Sequence, residues 1–374
     1  MKTSYFVGIV VMIILSCFLS CTSDKKIELS HQVYELSEIE SMVSTDGIFD
    51  EINVFTPKNT DDAILGNVRK IAADNSTYFI LCINGSVLAF DYSGNYKYKV
   101  GRVGNGPGEY SRPHDITIDP ATGYVAVLDF KKILFYDPFD GTFSHDIKLD
   151  VNAKEMSLDD SHIILSCPPC PNGKPADSEI LIIDRKTGIK SGYLPASNNN
   201  CTSLDFPNRE LNTSNNRTFF SRKFDNRIYM VNDTVAEAIE ITDKSNFITS
   251  TDNATGPKLI EFMQKCHEDN KIFFIGDFMK NDSNIFFSTN LGYVIGDVSD
   301  KQLNKCHALK SSRFDIVLSS CYVINGRNNE IIFTIYPQSV YNTIQAGLAN
   351  SDLITLGKDL DEESNPIMVH YKLR

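Results

Sequence analysis

The chain has no block of clustered positive charge: 36 Lys and Arg face 48 Asp and Glu over 374 residues. That excludes electrostatic nucleic-acid binding, which needs a basic patch to neutralise phosphates. Besides Cys167-Pro168-Pro169-Cys170 there is no C-x-x-C pair, and there is no H-x-x-x-H, so a zinc site lacks its second ligand pair. No G-x-S-x-G elbow is present, which removes the α/β-hydrolase nucleophile. Tryptophan is absent too, and 23 Phe and 16 Tyr supply the aromatic content. What is present is ordinary for a globular chain, 42% apolar and 22% charged residues, enough to bury a core.

The apolar run Tyr5 through Leu19 is too short to span a membrane comfortably. It follows Met1-Lys2, ends in Phe18-Leu19-Ser20-Cys21 and gives way to polar Thr22 through Lys26. This looks like a bacterial lipoprotein signal, with Cys21 as the acylated first residue of the mature chain. Cys17 is a rival site, but it would leave Phe18 and Leu19 at the mature terminus. The reading divides the chain into a signal peptide over 1–20, a tether over 21–40 and a folded domain over 41–374. Seven cysteines remain in the mature body, an odd number at irregular spacing, which is not a disulfide framework. Cys82 and Cys321 sit in apolar runs and read as small core residues.

A pattern recurs along the domain: an apolar run, an aspartate and a turn closed by glycine. It appears as Val87-Leu88-Ala89-Phe90-Asp91 closing at Gly94, as Ile133-Leu134-Phe135-Tyr136-Asp137 closing at Gly141, and as Ile180-Leu181-Ile182-Ile183-Asp184 closing at Gly188. The aspartates stand 46 and 47 residues apart, a period that suits a propeller blade. A looser copy ends at Asn232. One repeat reads as four short strands, over residues 114–119, 124–129, 133–136 and 142–149, and four antiparallel strands in sequence make one blade. Six such blades use about 280 residues. The surplus reads as two helical insertions, at 258–266 and 340–360. Asp119, Asp129, Asp137 and Asp184 are explained as turn starters, so no glycosidase pair stands out.

Gly101-Arg102-Val103-Gly104-Asn105-Gly106-Pro107-Gly108-Glu109-Tyr110 invites a phosphate-loop reading. A phosphate cradle feeds a helix N-terminus, whereas this loop runs from strand to strand and lacks a Lys-Ser/Thr pair. Gly104, Gly106, Pro107, Gly108, Glu109 and Tyr110 therefore read as a structural or interaction loop between blades. The Cys167–Cys170 motif reads as a local disulfide at a hairpin tip, since its prolines cannot open the helix that a redox C-x-x-C needs; a redox or a metal role is the alternative. Cys266-His267 and Cys306-His307 are adjacent pairs whose side chains point apart.

The Gly-Pro-Gly-Glu-Tyr core, the Phe219-Phe220 to Tyr229 stretch and the terminal Asn365-Pro366-Ile367-Met368-Val369 strand resemble the six-bladed β-propeller lipoproteins abundant in Bacteroides-type bacteria, which are related in architecture to NHL-repeat propellers. The resemblance implies an all-β fold, a six-bladed β-propeller of four-stranded antiparallel blades with short helical insertions. It also implies a cell-envelope location, lipid-anchored to the outer membrane and facing the periplasm or the outside. The expected role is a non-enzymatic binding or scaffolding module, with a protein or glycan ligand on one propeller face. The alternative is an envelope enzyme using the funnel on a glycan or peptide. No catalytic residue, metal or cofactor is assigned.

Overall fold

The computed structural model describes residues 30–61, 64–168, 178–194, 208–231, 235–243, 247–251, 257–324, 329–358, 360–361 and 363–374. Short apolar runs bounded by turn residues dictate nearly all of its structure. Val125-Ala126-Val127-Leu128-Asp129 is buried at every position, as a strand covered on both faces must be. The chain opens with β1 (Ser30–Ser44) and β2 (Phe49–Phe55). Four-stranded antiparallel meanders follow. The first is β3 (Val68–Ala73), β4 (Thr77–Cys82), β5 (Val87–Asp91) and β6 (Tyr96–Lys99). The second is β7 (Pro113–Ile118), β8 (Val125–Asp129), β9 (Lys132–Tyr136) and β10 (Phe143–Lys148), and the third is β11 (Glu155–Leu158), β12 (His162–Ser166), β13 (Ile180–Asp184) and β14 (Lys190–Tyr193).

The fourth is β15 (Leu211–Ser214), β16 (Arg217–Ser221), β17 (Arg227–Val231) and β18 (Val235–Thr242). The fifth is β19 (Ile275–Lys280), β20 (Asn284–Thr289), β21 (Gly292–Asp297) and β22 (Gln302–Lys310). The closing sheet joins β23 (Cys321–Val323), β24 (Glu330–Ile335) and β25 (Ile367–Leu373) to β2 from the other end of the domain, in the order β2-β25-β24-β23. The first strands of successive meanders meet one another, β3 with β7, β7 with β11, β11 with β15 and β15 with β19, and β23 returns to β3. They line the axis of a propeller-like arrangement.

The expectation of six separate blades is corrected. Among the described residues four sheets stand as separate four-stranded blades, while the fourth and fifth meanders belong to one nine-stranded sheet. The cause is β1. It runs parallel to β18 from Ser30 to Glu35, then parallel to β22 from Glu35 to Ser44, so its backbone groups satisfy both outer edges. Residues 30–40, expected as tether, thus lie within a strand. The signal segment and Cys21 lie outside the described residues.

The helical surplus appears as α1 (Pro257–Glu268), α2 (Pro337–Gln345) and α3 (Ser351–Gly357). The single stretch expected over 340–360 breaks in two because Gly347 adopts φ +70° and Asn350 caps the next helix, accepting from the Leu353 amide at 2.9 Å. α2 and α3 form a cap between β24 and β25.

Candidate functional site

Charged side chains at or just before the starts of the innermost strands converge on the axis. The buried Arg209 guanidinium donates to both oxygens of Asp115, at 2.5 and 2.7 Å, and the Met156 amide reaches Asp115 Oδ2 at 2.9 Å. Lys70 donates to Glu155 Oε1 at 2.6 Å, while the amides of Glu210 and Leu211 fill Glu155 Oε2 at 2.8 and 2.7 Å. Glu210 is clamped by Lys154 at 2.9 Å and Lys223 at 2.8 Å. Asp277 accepts from the Arg209 amide, from Asn208 at 2.6 Å and from Ser288 at 2.7 Å, with the Cys321 thiol 3.6 Å away. The network thus joins the inner strands of all five meanders to the closing sheet.

Electrostatics explains why charges survive there. Burial alone would raise the Glu155 carboxyl, but the Lys70 and Arg209 cations outweigh it and hold it below the usual range. Burial likewise opposes ionisation of Glu210, and the Lys154 and Lys223 ammoniums bring it down to about 2. Arg209 is held above its ordinary value: burial works against its charge, and Asp115 and Glu155 prevail. These carboxylates are committed on both oxygens, so none is poised to exchange a proton with a substrate. The arrangement ties sheets together around the axis. The sequence analysis gave its polar residues no role; the recurrence of a charge near the start of inner strands, Lys70, Asp115 and Glu155, was the available signal.

A second buried polar chain went unread. Tyr78 Oη lies 2.8 Å from His370 Nδ1, and His370 Nε2 lies 3.1 Å from Glu330 Oε2, linking the first meander to the closing sheet.

The glycine-rich loop joins β6 to β7. Glu109 folds back into it, accepting from the Gly106 amide at 2.8 Å and from Arg102, and these bonds, the amide first, lower its carboxyl. A Cβ at Gly104 would stand 1.9 Å from Glu109 Oε2, and Gly108 takes φ +71° with the Phe143 ring against it. Tyr110 is fully buried and donates to the Val100 carbonyl at 2.8 Å. Asp119, Asp137 and Asp184 start turns by accepting amides two residues on. Asp129 does something else: it caps the exit of the glycine loop, accepting from the Ser111 and Arg112 amides at 2.9 and 2.7 Å. Cys82 is buried as expected, but Cys321 is half-buried against Asp277, not a simple core residue. Cys167 is half-buried, and Cys170 lies outside the described residues. No group of three metal-ligating side chains occurs among the described residues.

Concave surfaces open at two places among the described residues. One, of about 780 Å³, lies at the ends of β11 and β15 and is bordered by Asp159, Asp160, His162 and Arg217. Asp159 spends its Oδ1 on the Ser161 and His162 amides at 2.7 Å each, as a turn starter. The other lies under the helical cap, about 600 Å³, lined by Tyr336, Tyr341, Val340, Ile344, Leu360 and Pro366, and continues beyond Leu360 and Asp361 into a polar lobe of about 530 Å³. Tyr341 is 59% exposed there, and Leu348, on the turn between the two cap helices, is 72% exposed. No described helix is long and apolar enough to cross a membrane.

A family model described as "Domain of unknown function (DUF4934)" matches residues 27–372. Among solved structures, the chain is similar to a "putative exported protein" of Bacteroides fragilis, with 17% identity, 92% of this chain and 100% of that one covered, and a TM-score of 0.74. At that identity the likeness shows the fold. The Cps50 (Swd1) β-propeller domain of Myceliophteria thermophila matches at 8% identity over 74% of this chain and 85% of that one; its TM-score of 0.40 is too low to carry an argument. No curated protein matches the sequence.

Proposed function

The chain belongs to the family described as a domain of unknown function (DUF4934), and from that premise we propose that it is an exported, lipid-anchored, six-bladed propeller that works as a non-enzymatic binding module. The count of six follows if β1 is treated as a stitch: without it the nine-stranded sheet is two antiparallel meanders, β15–β18 and β19–β22. Export is supported by the apolar segment Tyr5 through Leu19 ahead of Cys21, and by the description of the B. fragilis protein of like fold. The binding role rests on the cap groove, where exposed Tyr336 and Tyr341 join Val340, Ile344 and Leu360 in a concave apolar surface with Asp361 and Ser364 at its edge. An exposed apolar patch with a polar rim is the chemistry of a protein contact, with an aromatic or aliphatic side chain of the partner seated in the groove.

A photo-crosslinking residue at Tyr341 in the full-length chain, expressed in the envelope, should give one discrete protein adduct, lost on Tyr336→Asp. The absence of any adduct sinks the binding reading. The Asp159–His162 pair and Arg217 at the other opening favour the enzyme alternative; turnover of a glycan or peptide that disappears with His162→Ala would install it. For the anchor, Cys21→Ala should leave the protein unprocessed or soluble. A correctly cleaved mutant still in the membrane fraction removes the lipoprotein claim.

A further inference from the structure

The register of β1 fixes where an anchor pulls. β1 enters at Ser30 opposite Glu237, at the beginning of β18, and passes along the outer edge of the fourth meander to that of the fifth. Cys21 precedes Ser30 by nine residues, and nine residues reach at most about 30 Å when fully extended. Among the described residues β1 is the element nearest the anchor in sequence, and it is held by β18 over Ser30–Glu35 and by β22 beyond, where Lys301 O takes the Glu35 amide at 2.8 Å and the Thr45 amide reaches Lys310 O at 2.9 Å. A lipid on Cys21 therefore cannot let the propeller tumble far from the bilayer by this edge.

We propose that the outer rim of the fourth and fifth meanders is the membrane-proximal surface of the protein, with a lipid bilayer as its partner. This rests on lipidation at Cys21. β1 shows on its exposed positions Val33 and Met42, 45% and 41% exposed, with Glu35, Glu38 and Glu40 between them. Three carboxylates in a row do not enter hydrocarbon and are repelled by anionic headgroups. The rim consequently stands off the surface, held near it by the covalent tether and not by charge. The first meander, three inner strands away from β15 in either direction around the axis, faces the other way.

The test uses the full-length lipidated protein in phosphatidylethanolamine vesicles carrying a headgroup-linked energy acceptor. A bioorthogonal donor is placed at Val33 or, as a second probe of the same strand, at Met42, and compared with one at Ile83, an exposed position of the first meander. Transfer from positions 33 and 42 should exceed that from position 83 by about twofold or more, given a tether of at most about 30 Å. A ten-residue Gly-Ser insertion after Lys26 should erase most of the difference. Equal or inverted transfer in protein that floats with the vesicles overturns the orientation and leaves the anchor standing. Protein that never floats, whether Cys21 is present or replaced, sinks the anchor itself.

Discussion

The seam between the first and second meanders and the seam between the third and fourth solve one packing problem in opposite ways. In the first, Phe79, Leu81, Val87, Val100, Tyr110, Val127, Leu134 and Tyr136 interlock with almost no charge. Tyr110 comes from the glycine-rich loop, so the connection supplies part of the core it crosses. In the second, a smaller apolar group around Ile182, Leu211, Phe220 and Tyr229 is supplemented by Glu155, Glu210, Lys154, Lys223 and the Arg222–Glu179 pair at 3.2 Å. Each fully buried large apolar side chain contributes about 1.5–3 kcal/mol, whereas a buried ion pair roughly breaks even against the cost of dehydrating it. The apolar seam should therefore carry more of the net stability, and the ionic seam should be intolerant of any change that leaves one charge alone.

The largest effect should come from removing what makes either seam part of a ring. β25 lies between β2 and β24, so deleting Asn365–Arg374 strips the closing sheet of a central strand and opens two edges. Cooperative thermal unfolding followed by circular dichroism should vanish; an unchanged melt would mean that the ends of the chain do not lock the fold. Next comes Arg209→Met. It leaves the buried Asp115 without its cation and should cost about 3–5 kcal/mol, much of it recovered by adding Asp115→Asn, which removes the charge and keeps an acceptor for the Met156 amide, in a double-mutant cycle measured by urea denaturation. A single-mutant cost comparable to an exposed substitution would show that the axial charges are not coupled, and the contrast between the seams would collapse.

Acid separates the seams more gently. Glu210 is depressed to about 2 in the folded protein. Its contribution is present above its unfolded value, near 4.3, and is lost as pH falls from there toward 2, a loss of about 3 kcal/mol when complete. Glu155 and Asp225 are lowered as well and add to the same limb. The melting temperature should fall between about pH 4.5 and 2, and Glu210→Gln should flatten that fall while lowering stability at neutral pH. An acid limb unaltered by the substitution would assign acid sensitivity to other carboxylates.

The difference between the seams also marks what a linear reading could reach. The strands of the first three meanders announce themselves through continuous apolar runs at a regular period, and Asp91, Asp137 and Asp184 punctuate them. Local patterns encode such strands, because burial on both faces selects apolar residues one after another. Arg209 and Asp277 lie far apart in sequence and acquire meaning only when different inner strands meet, so no local pattern betrays them, and the recurring charge of Lys70, Asp115 and Glu155 marks the inner strands without naming their partners. β1 was hidden for a related reason: parallel pairing to two distant edges leaves no hairpin signal, and Glu35, Glu38 and Glu40 gave the segment the polarity of a tether. The cap groove was legible only as helical surplus, since its concavity depends on the break at Gly347 and the return of Pro366 beneath it.

The smallest effect is expected at Cys167, beside the ionic seam. Its amide donates to the Glu179 carbonyl at 2.7 Å, and the Glu179 carboxylate holds Arg222. Burial first, then the negative charges of Asp150 and Glu179, push its thiol up to about 11. That is the reverse of a redox-active cysteine, whose thiolate is stabilised by neighbouring positive charge or a helix N-terminus. Replacing Cys167 and Cys170 together by serine should shift stability by at most about 2 kcal/mol, because closing so short a loop removes little chain entropy and the intervening prolines already restrict the unfolded chain. With reductant present, alkylation of Cys167 should be slow at neutral pH and should accelerate only in strong alkali. A thiol titrating below about 7, together with turnover of a dithiol substrate, would reverse the assignment and make the edge of the ionic seam a reactive site.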